Sequence, residues 1–442
     1  MSEPRPVPRY TSYPTAPHFH AGVDATTYAR GLAELPDEAT LSLYLHVPFC
    51  DRLCWFCGCH TKQVARYAPV AAYVESLTRE IRAVGKLVPG RPVTAIHLGG
   101  GSPSLLSPAD FDRLNGALRA AFDIRPEVEF SIEIDPNDMD EARYDALARI
   151  GITRVSLGVQ DFNPKVQAAI NRIQTYEQTR AVVEAMRARG IGSVNLDVLY
   201  GLPFQTVASV EATVAEALSL APDRFAIFGY AHVPWLKTHQ RLIDEAALPG
   251  LEARFAQSQA AAAAITAAGY EPIGFDHFAK PEDRLAIAAR TGHLRRNFQG
   301  FTADDADALV GLGASAISCL PQGYAQNLVP THLYERQAED IGFATARGIA
   351  LTGEDRARRW VIERLLCDAA VDCAEMYRRF PASADRIWLE METAALYDAD
   401  GHVRFDGQTF VVTLEGRPFV RSIAAVFDAY LPTDTARYSK AV

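Results

Sequence analysis

Four of the seven cysteines in this 442-residue chain lie in one short segment, CDRLCWFCGCH (50–60). Cys50, Cys54 and Cys57 follow a Cys-x3-Cys-x2-Cys spacing, and Cys59 comes two residues later. Thiols this close together could form disulfides, hold a zinc ion, act as a redox pair or hold an iron–sulfur cluster. These four chemistries require different features elsewhere in the chain.

Composition and spacing separate the four alternatives. The amino terminus has no apolar segment typical of a signal peptide, so we predict a cytoplasmic protein whose thiols stay reduced, which disfavours disulfides. A structural zinc site normally uses two separated pairs of ligands, and a redox pair would leave two cysteines unexplained. Three thiolates on one loop suit a four-iron cubane and leave its fourth iron open to a substrate. We therefore favour an iron–sulfur cluster, with zinc as the main alternative.

The remaining composition describes an ordinary globular protein. Hydrophobic residues make up 48% of the chain, and no apolar stretch is long enough to predict a membrane span. The formal net charge of −10 disfavours a nucleic-acid binder. Cys319, Cys367 and Cys373 are scattered in apolar surroundings, and we interpret them as packing residues.

Short β-branched apolar runs alternate with amphipathic helical patterns through the first two thirds of the chain. Six runs predict buried strands: 41–47, 93–98, 128–134, 154–159, 193–199 and 224–230. Helices are predicted at 71–87, 111–122 and 175–190. The alternation predicts an α/β fold with a parallel sheet, and six units are too few for a closed eight-stranded barrel. We predict an incomplete (β/α)6 barrel with its chemistry at the carboxyl ends of the strands, where the cysteine loop and GGGSPS (99–104) lie.

The pattern changes after residue 300. Residues 311–320 could add an edge element, and HVRFDGQTFVVT (402–413) predicts a hairpin that turns at Asp406-Gly407. Helices surround this hairpin, as in a winged-helix module. Such modules bind DNA or serve as lids or packing domains, and the acidic chain favours the lid. We expect four parts: an N-terminal segment packing on the barrel mouth (1–40), the barrel (41–300), connecting and edge elements (301–350), and a C-terminal helical module with a β-hairpin (351–442).

The cysteine spacing, with Phe56 before the last cysteine, resembles the signature of the radical SAM superfamily. Further motifs narrow the resemblance to the oxygen-independent coproporphyrinogen III oxidases over essentially the whole chain. These motifs are PRYTSYPTA (8–16), SLYLHVPFCDRLCWFCGC (42–59), HLGGGSPS (97–104), SIEIDP (131–136), SLGVQDF (156–162), INRIQ (170–174), NLDVLYGLP (195–203), YAHVP (230–234), GFDHFA (274–279) and NFQG (297–300).

The resemblance implies cofactors, a reaction and contact residues. It implies a [4Fe–4S] cluster on Cys50, Cys54 and Cys57, two S-adenosylmethionine molecules, and conversion of two propionates of coproporphyrinogen III to vinyls, which gives protoporphyrinogen IX. The implied contacts to the cluster-bound S-adenosylmethionine are Tyr44, Gly100, Glu133 and Ile317. Those to the second molecule are Phe56, Gly101, Ser102, Gln160, Arg172, Asp197 and Ala231. Cys59 is not implied as a ligand, and no protein acid or base is obligatory.

The implied reaction needs partners. It requires a low-potential electron donor and a separate electron acceptor, and nothing in the sequence demands more than a monomer. A substrate with four carboxylates needs a basic pocket in this acidic chain. Our candidates for that pocket are Arg5, Arg9, Lys280, Arg290, Arg295 and Arg296. Two alternatives stay open: a haem-binding chaperone of the same superfamily, which usually has an aromatic residue at the position of Cys59, and a tRNA-modifying radical SAM enzyme.

Overall fold

The computed structural model describes residues 7–431, and a parallel sheet forms its centre. All six predicted strands are present, and each is hydrogen-bonded in parallel to the next. They are β1 (Leu41–Val47), β2 (Pro92–Gly100), β3 (Asp123–Ile134), β4 (Arg154–Gln160), β5 (Ser193–Tyr200) and β6 (Arg224–Gly229). β1 is buried along its whole length because it lies in the middle of the sheet.

Further strands extend this sheet at both edges. Beyond β6 lie β8 (His277–Ala279) and then β7 (Glu271–Ile273), both antiparallel to their neighbours. On the other side of β1 the strands follow in the order β9 (Ala308–Leu312), β10 (Ile317–Leu320), β11 (Gly323–Asn327) and β12 (Thr345–Ala350). The predicted edge element at 311–320 is thus the end of β9, which is parallel to β1, followed by β10. The two ends of the sheet do not pair with each other, so the predicted incomplete barrel is confirmed.

Helices connect the parallel strands and cover the outside of the sheet. The first ten are α1 (Ala25–Ala33), α2 (Ala68–Gly85), α3 (Pro108–Ala121), α4 (Glu141–Ile150), α5 (Pro164–Ala169), α6 (Tyr176–Ala188), α7 (Val207–Ser219), α8 (Leu251–Ala267), α9 (Arg284–Arg290) and α10 (Thr331–Ile341). The predicted helices 71–87, 111–122 and 175–190 correspond to α2, α3 and α6. Local sequence fixes where these helices begin: Ser107 caps α3, and Thr175 forms a capping box at α6. Their apolar faces and the strands form one large core.

The C-terminal module contains the predicted hairpin and has its own core. Its helices are α11 (Gly353–Asp368), α12 (Cys373–Arg379), α13 (Pro381–Leu396) and α14 (Val420–Ala424). Its strands are β13 (Ala370–Asp372), β14 (Val403–Phe405) and β15 (Thr409–Val412). Asp406 Oδ1 accepts hydrogen bonds from the N–H groups of Gln408 and Thr409 at the turn of the hairpin.

The module's core also includes the beginning of the described chain. Val7, Tyr10 and Tyr13 are buried against residues such as Trp360 and Phe427. Tyr13 Oη accepts a hydrogen bond from the N–H of Ala429. Across residues 7–431, none of the helices has both the length and the apolar character to span a membrane.

Candidate active site

The cysteine loop lies at the carboxyl end of β1 and lines an open cavity of about 220 Å³. Cys50, Cys54 and Cys57 all face this cavity, together with Cys59. The loop is held on one side by a hydrogen bond of 2.9 Å from the Trp55 N–H to the carbonyl of Ile170. The structure therefore brings the three predicted ligands together at the end of the barrel where the chemistry of such folds is found.

The arrangement of the thiols fits a cluster better than a single metal ion. Throughout the described residues, no three His, Cys, Asp or Glu side chains are grouped to hold one ion. Zinc needs its ligands around one point, whereas in a cubane each thiolate binds a different iron. Burial raises the pKa of Cys50 and of Cys54, while a hydrogen bond with the Cys59 thiol lowers the pKa of Cys57 to about 6. Three thiols on one wall of a cavity are the donor set that a [4Fe–4S] cluster requires.

The glycine segment after β2 is joined directly to the cysteine segment. The N–H of Gly101 donates to the carbonyl of Val47 at 2.8 Å, and the N–H of Ser102 donates to the carbonyl of Phe49 at 2.8 Å. A Cβ atom on Gly101 would lie 2.7 Å from that same Phe49 oxygen. Gly100 has a φ of +112°, a conformation that favours glycine. Glycine is therefore needed here so that the two segments can approach each other.

Glu133 lies at the carboxyl end of β3 and links the glycine segment to an aromatic group. Its carboxylate accepts a hydrogen bond of 3.0 Å from the N–H of Gly100 and lies 3.4 Å from Nε2 of His97. Burial raises the pKa of Glu133, but the hydrogen bonds from His97 and Gly100 outweigh it, so the pKa is lowered. The His97 ring stacks on Tyr44, with centroids 5.8 Å apart. An ionised Glu133 can accept hydrogen bonds from a ligand in the cavity.

Asp197 is a second carboxylate on the same cavity. Ser156 donates to its Oδ2 at 3.1 Å, and Asn195 donates to its Oδ1 at 2.8 Å. Burial and the negative charge of Glu133 raise the pKa of Asp197 to about 6. Beside it, Gln160 ends β4 with a φ of +64°, at an irregularity in the pairing of β4 and β5. The irregularity lies at the end of β4, where Gln160 lines the cavity.

Arg172 is buried between three parts of the site. Its Nη1 donates to Asp135 Oδ2 at 3.1 Å and lies 3.6 Å from the Sγ of Cys54, while Nη2 donates to the carbonyl of Gly158 at 2.8 Å. Its Nε has no hydrogen-bond partner although it is buried. A ligand carboxylate that takes the place of Asp135 can accept from this guanidinium.

Eight of the eleven predicted cofactor contacts line this cavity: Phe56, Gly100, Gly101, Ser102, Glu133, Gln160, Arg172 and Asp197. Tyr44, Ala231 and Ile317 do not line it. Tyr44 instead stacks on His97, as described above. The backbone of Ile317 lies against Gly311, the residue of β9 that pairs with Tyr44. Ala231 lines a neighbouring cavity, which has a volume of about 40 Å³.

Gln240 connects the two cavities, and sequence reasoning missed it. This fully buried side chain donates from Nε2 to the carbonyl of Phe56 at 3.0 Å and to the carbonyl of Ala231 at 3.2 Å. Its Oε1 accepts from the N–H of Val233. A glutamine in a polar loop gives no signal in a single sequence, because only its burial shows that it fixes the cysteine loop.

Only part of the predicted basic group lies at this end of the barrel. Lys280 lines a cavity with Arg224, at the amino end of β6, and its Nζ lies 3.0 Å from Asp223 Oδ1. Arg290 pairs with Glu271 of β7, close to that same end of the sheet. Arg295 lies 3.7 Å from Glu363. Arg9 and Arg296 are near the neighbouring cavity, and Arg5 lies outside the described residues.

Comparison with known proteins gives matches to both parts of the chain. Residues 44–217 match the model of the radical SAM superfamily, and residues 351–419 match the model of the HemN C-terminal domain. The oxygen-independent coproporphyrinogen III oxidase of Bradyrhizobium diazoefficiens is 48% identical over 437 residues, which are 99% of this chain and 97% of that protein. The enzyme of the same name from Escherichia coli K12 is 40% identical over 425 residues, 96% of this chain and 93% of that one.

A solved structure extends this similarity to three dimensions. The structure of coproporphyrinogen III oxidase (HemN) from Escherichia coli, described as a radical SAM enzyme, superposes with a TM-score of 0.92 at 39% identity. The superposition covers 96% of this chain and 98% of that one. Similarity at this level includes the cysteine loop, the glycine segment and the C-terminal module, so the chain belongs to the oxygen-independent coproporphyrinogen III oxidase family of the radical SAM superfamily.

Proposed function

We infer that this chain is a coproporphyrinogen III oxidase that works without oxygen and converts two propionates of its substrate to vinyl groups, giving protoporphyrinogen IX. The observation that carries this conclusion is that Cys50, Cys54 and Cys57 line one cavity with the glycine segment, in a chain whose relatives of that name match over nearly its full length. Those full-length matches favour the oxidase over the haem-binding chaperone and the tRNA-modifying enzyme.

The cofactors are a [4Fe–4S] cluster, which the three cysteines would hold, and S-adenosylmethionine. When bound, they supply the 5′-deoxyadenosyl radical that removes hydrogen from the propionate carbon next to the pyrrole ring, before carbon dioxide and one further electron are lost. The chain binds and orients these groups and excludes water from them. Glu133 and Asp197 can accept hydrogen bonds from hydroxyl or ammonium groups, and Arg172 can bind a carboxylate.

The residue roles are part of the proposal. We assign Tyr44, Gly100, Glu133 and Ile317 to the cluster-bound S-adenosylmethionine. We assign Phe56, Gly101, Ser102, Gln160, Arg172, Asp197 and Ala231 to the second molecule. The position of eight of these residues on one cavity supports the assignment. A low-potential electron donor, a separate electron acceptor, a monomeric state and a cytoplasmic location also belong to the proposal.

Anaerobic reconstitution with iron and sulfide tests the function. The wild-type protein should contain about four irons per chain, release 5′-deoxyadenosine and form protoporphyrinogen IX. The variant Cys54→Ala should lose all three properties, whereas Cys373→Ala, which removes a buried thiol of the C-terminal module, should keep them. A colourless wild-type protein that contains zinc and releases no 5′-deoxyadenosine would contradict the proposed function.

A further inference from the structure

The cavity next to the cofactor cavity is lined by arginines. Arg9, Arg254 and Arg421 line it, and Asp276 is the one acidic residue among the described residues of its wall. Arg296 lies beside it, stacked on Phe275, with its guanidinium carbon 4.6 Å from the ring centroid. We call this cavity, together with the four arginines, the arginine pocket. The arginines come from the N-terminal segment, α8, the region before β9, and α14.

The single carboxylate is already engaged by a histidine. Asp276 Oδ1 lies 2.6 Å from Nδ1 of His277. Arg296 donates from Nη2 to the carbonyl of Arg9 at 3.3 Å, but its buried Nε and Nη1 have no hydrogen-bond partner. Burial and the neighbouring charge of Arg9 lower the pKa of Arg421 to about 10. Arg254, Arg296 and Arg421 are half-buried and Arg9 is exposed. Arg9 and Arg254 also donate to the carbonyls of Gly229 and Tyr230. Carbonyl groups do not neutralise a positive charge, so an anion that joins these side chains reduces the repulsion between them.

The pocket has the size and the walls for part of a tetrapyrrole. Its volume of about 40 Å³ admits a carboxylate group but no pyrrole ring, so the rings of a bound tetrapyrrole would lie outside it. Tyr200, Phe228, Tyr230 and Phe275 supply aromatic walls that suit the methylene groups of a propionate.

The position of the pocket relates it to the reaction. Asp197 and Tyr200 both lie on β5, and Asp197 faces the cofactor cavity while Tyr200 faces the arginine pocket. Side chains three positions apart on a strand point to opposite faces, so the closest link between the cavities is Gln240. Its Nε2 donates to the carbonyl of Phe56 in the wall of the cofactor cavity at 3.0 Å and to the carbonyl of Ala231 in the wall of the arginine pocket at 3.2 Å. A tetrapyrrole is wider than the distance between these two carbonyl oxygens. One substrate molecule can therefore reach both cavities.

We propose that the arginine pocket binds the carboxylate of a propionate that is not reacting, and thereby positions another propionate of the same molecule at the cofactor cavity. This inference rests on the proposed function. The pocket is a positioning and specificity site: it distinguishes a tetrapyrrole with several carboxylates from one without them. Of these four arginines, only Arg9 and Arg296 were predicted from the sequence, because Arg254 and Arg421 lie in helices outside the recognised motifs.

Equilibrium binding to the reconstituted holoenzyme tests the proposal. The probes are coproporphyrin III, which has four carboxylates and is stable in air, and its tetramethyl ester, which has none. Because the loss of one charge-assisted hydrogen-bonded pair weakens binding about tenfold or more, Arg254→Gln and Arg421→Gln should raise the Kd for coproporphyrin III by at least that factor. Binding of the ester should not change. Arg290→Gln, at the opposite end of the barrel, is the matched control and should bind both probes like the wild type.

S-adenosylmethionine also carries a carboxylate, so its binding is measured on the same proteins. An unchanged affinity for S-adenosylmethionine with weakened porphyrin binding supports the proposal. Weakened S-adenosylmethionine binding with unchanged porphyrin binding overturns it, because the pocket would then serve the cofactor. Equal loss of both porphyrin probes also overturns it, since a general structural effect does not depend on carboxylates.

Stability and turnover provide two further readouts. In the absence of porphyrin, the Tm of Arg421→Gln should stay within about 3 °C of the wild type, because the change removes charge from a positive cluster. If this variant does not fold, Arg9→Gln, at an exposed position, must show the same selective loss, and unchanged porphyrin binding by it overturns the proposal. If the wild type converts the substrate but the arginine variants bind coproporphyrin III as tightly as it does, this inference alone is refuted. If the wild type shows no turnover, the proposed function is refuted.

Discussion

Nη1 of Arg172 lies 3.6 Å from the Sγ of Cys54, although the two residues are 118 positions apart. The same guanidinium also binds Asp135 and the carbonyl of Gly158. One side chain thus joins the cysteine loop to the carboxyl ends of β3 and β4. This contact is one of several that hold the loop against the sheet, together with those of Trp55 and Gln240.

Replacement of Arg172 should affect the second S-adenosylmethionine. Lysine keeps the positive charge but cannot bind Asp135 and Gly158 at once or present a forked donor to a carboxylate. We expect Arg172→Lys to retain its cluster but to bind one S-adenosylmethionine per chain instead of two, as measured by equilibrium dialysis. Arg149→Lys, at an exposed ion pair with Asp112, is the control. Two molecules bound with wild-type affinity would contradict the role of Arg172.

Asp197→Asn should change how stability depends on pH. The pKa of Asp197 is raised to about 6 in the folded protein from its ordinary value of 3.8, so the wild type loses stability as the pH rises through about 6. The uncharged variant lacks this loss. We expect the free energy of unfolding of the variant relative to the wild type to increase by about 1 kcal/mol between about pH 5 and pH 7.5.

Urea unfolding of the cluster-free proteins measures this difference. A constant offset is also expected, because asparagine offers one oxygen to the two donors Ser156 and Asn195. Asp112→Asn, at an exposed carboxylate, controls for the loss of a charge at the surface. If the difference in the free energy of unfolding between Asp197→Asn and the wild type does not vary with pH, burial and Glu133 do not destabilise the ionised carboxylate of Asp197.

Gly101→Ala should disturb the site without disturbing the rest of the fold. A methyl group there would lie 2.7 Å from the oxygen and 2.9 Å from the nitrogen of Phe49, so the glycine segment must move away from the cysteine segment. We expect iron content and 5′-deoxyadenosine release to fall at least about fivefold, since steric overlap with the backbone cannot be relieved by a side-chain rotation.

The matched control for this change is Gly116→Ala. Gly116 lies in α3 with nothing within 4 Å of its added Cβ atom. Alanine there should raise the free energy of unfolding by about 0.5 to 1 kcal/mol and leave iron content unchanged. Equal effects of the two substitutions on iron content would contradict the steric explanation.

Gln240→Leu should weaken retention of the cluster. The change leaves the carbonyls of Phe56 and Ala231 and the N–H of Val233 without their partner in a buried place. Gln257 is an equally buried glutamine that binds Gly201 and Gln205 on the same barrel, so Gln257→Leu is its matched control. Both variants should lose about 1 to 3 kcal/mol of stability.

Only Gln240→Leu should lose iron faster than the wild type when a chelator is added. Absorbance of the cluster at constant temperature follows this loss. The same rate of iron loss in both variants would mean that Gln240 contributes to general stability and not to the cysteine loop.

The sequence predicted the strands and the cysteine and glycine segments because their signals are local. Apolar runs define β1 to β6, and the spacing of Cys50, Cys54 and Cys57 is visible in ten residues. The strand order also follows from the rule that consecutive βα units are neighbours.

Other features depend on tertiary structure and could not be predicted. Lys280 follows β8, which runs antiparallel to β6, and this direction places it at the amino end of the barrel. The contact of Arg172 with Cys54 and that of Gln240 with Phe56 likewise join segments more than a hundred residues apart. Arg254 and Arg421 became candidates only when α8 and α14 were seen on one cavity.

The second core has a consequence for the order in which the protein forms. Val7, Tyr10 and Tyr13 pack with Phe427, so this core needs both the first and the last parts of the described chain. During synthesis the barrel can fold while the last helices are still inside the ribosome. Arg9 and Arg421 come together only after that stage. The cysteine loop is therefore in place before the arginine pocket is complete.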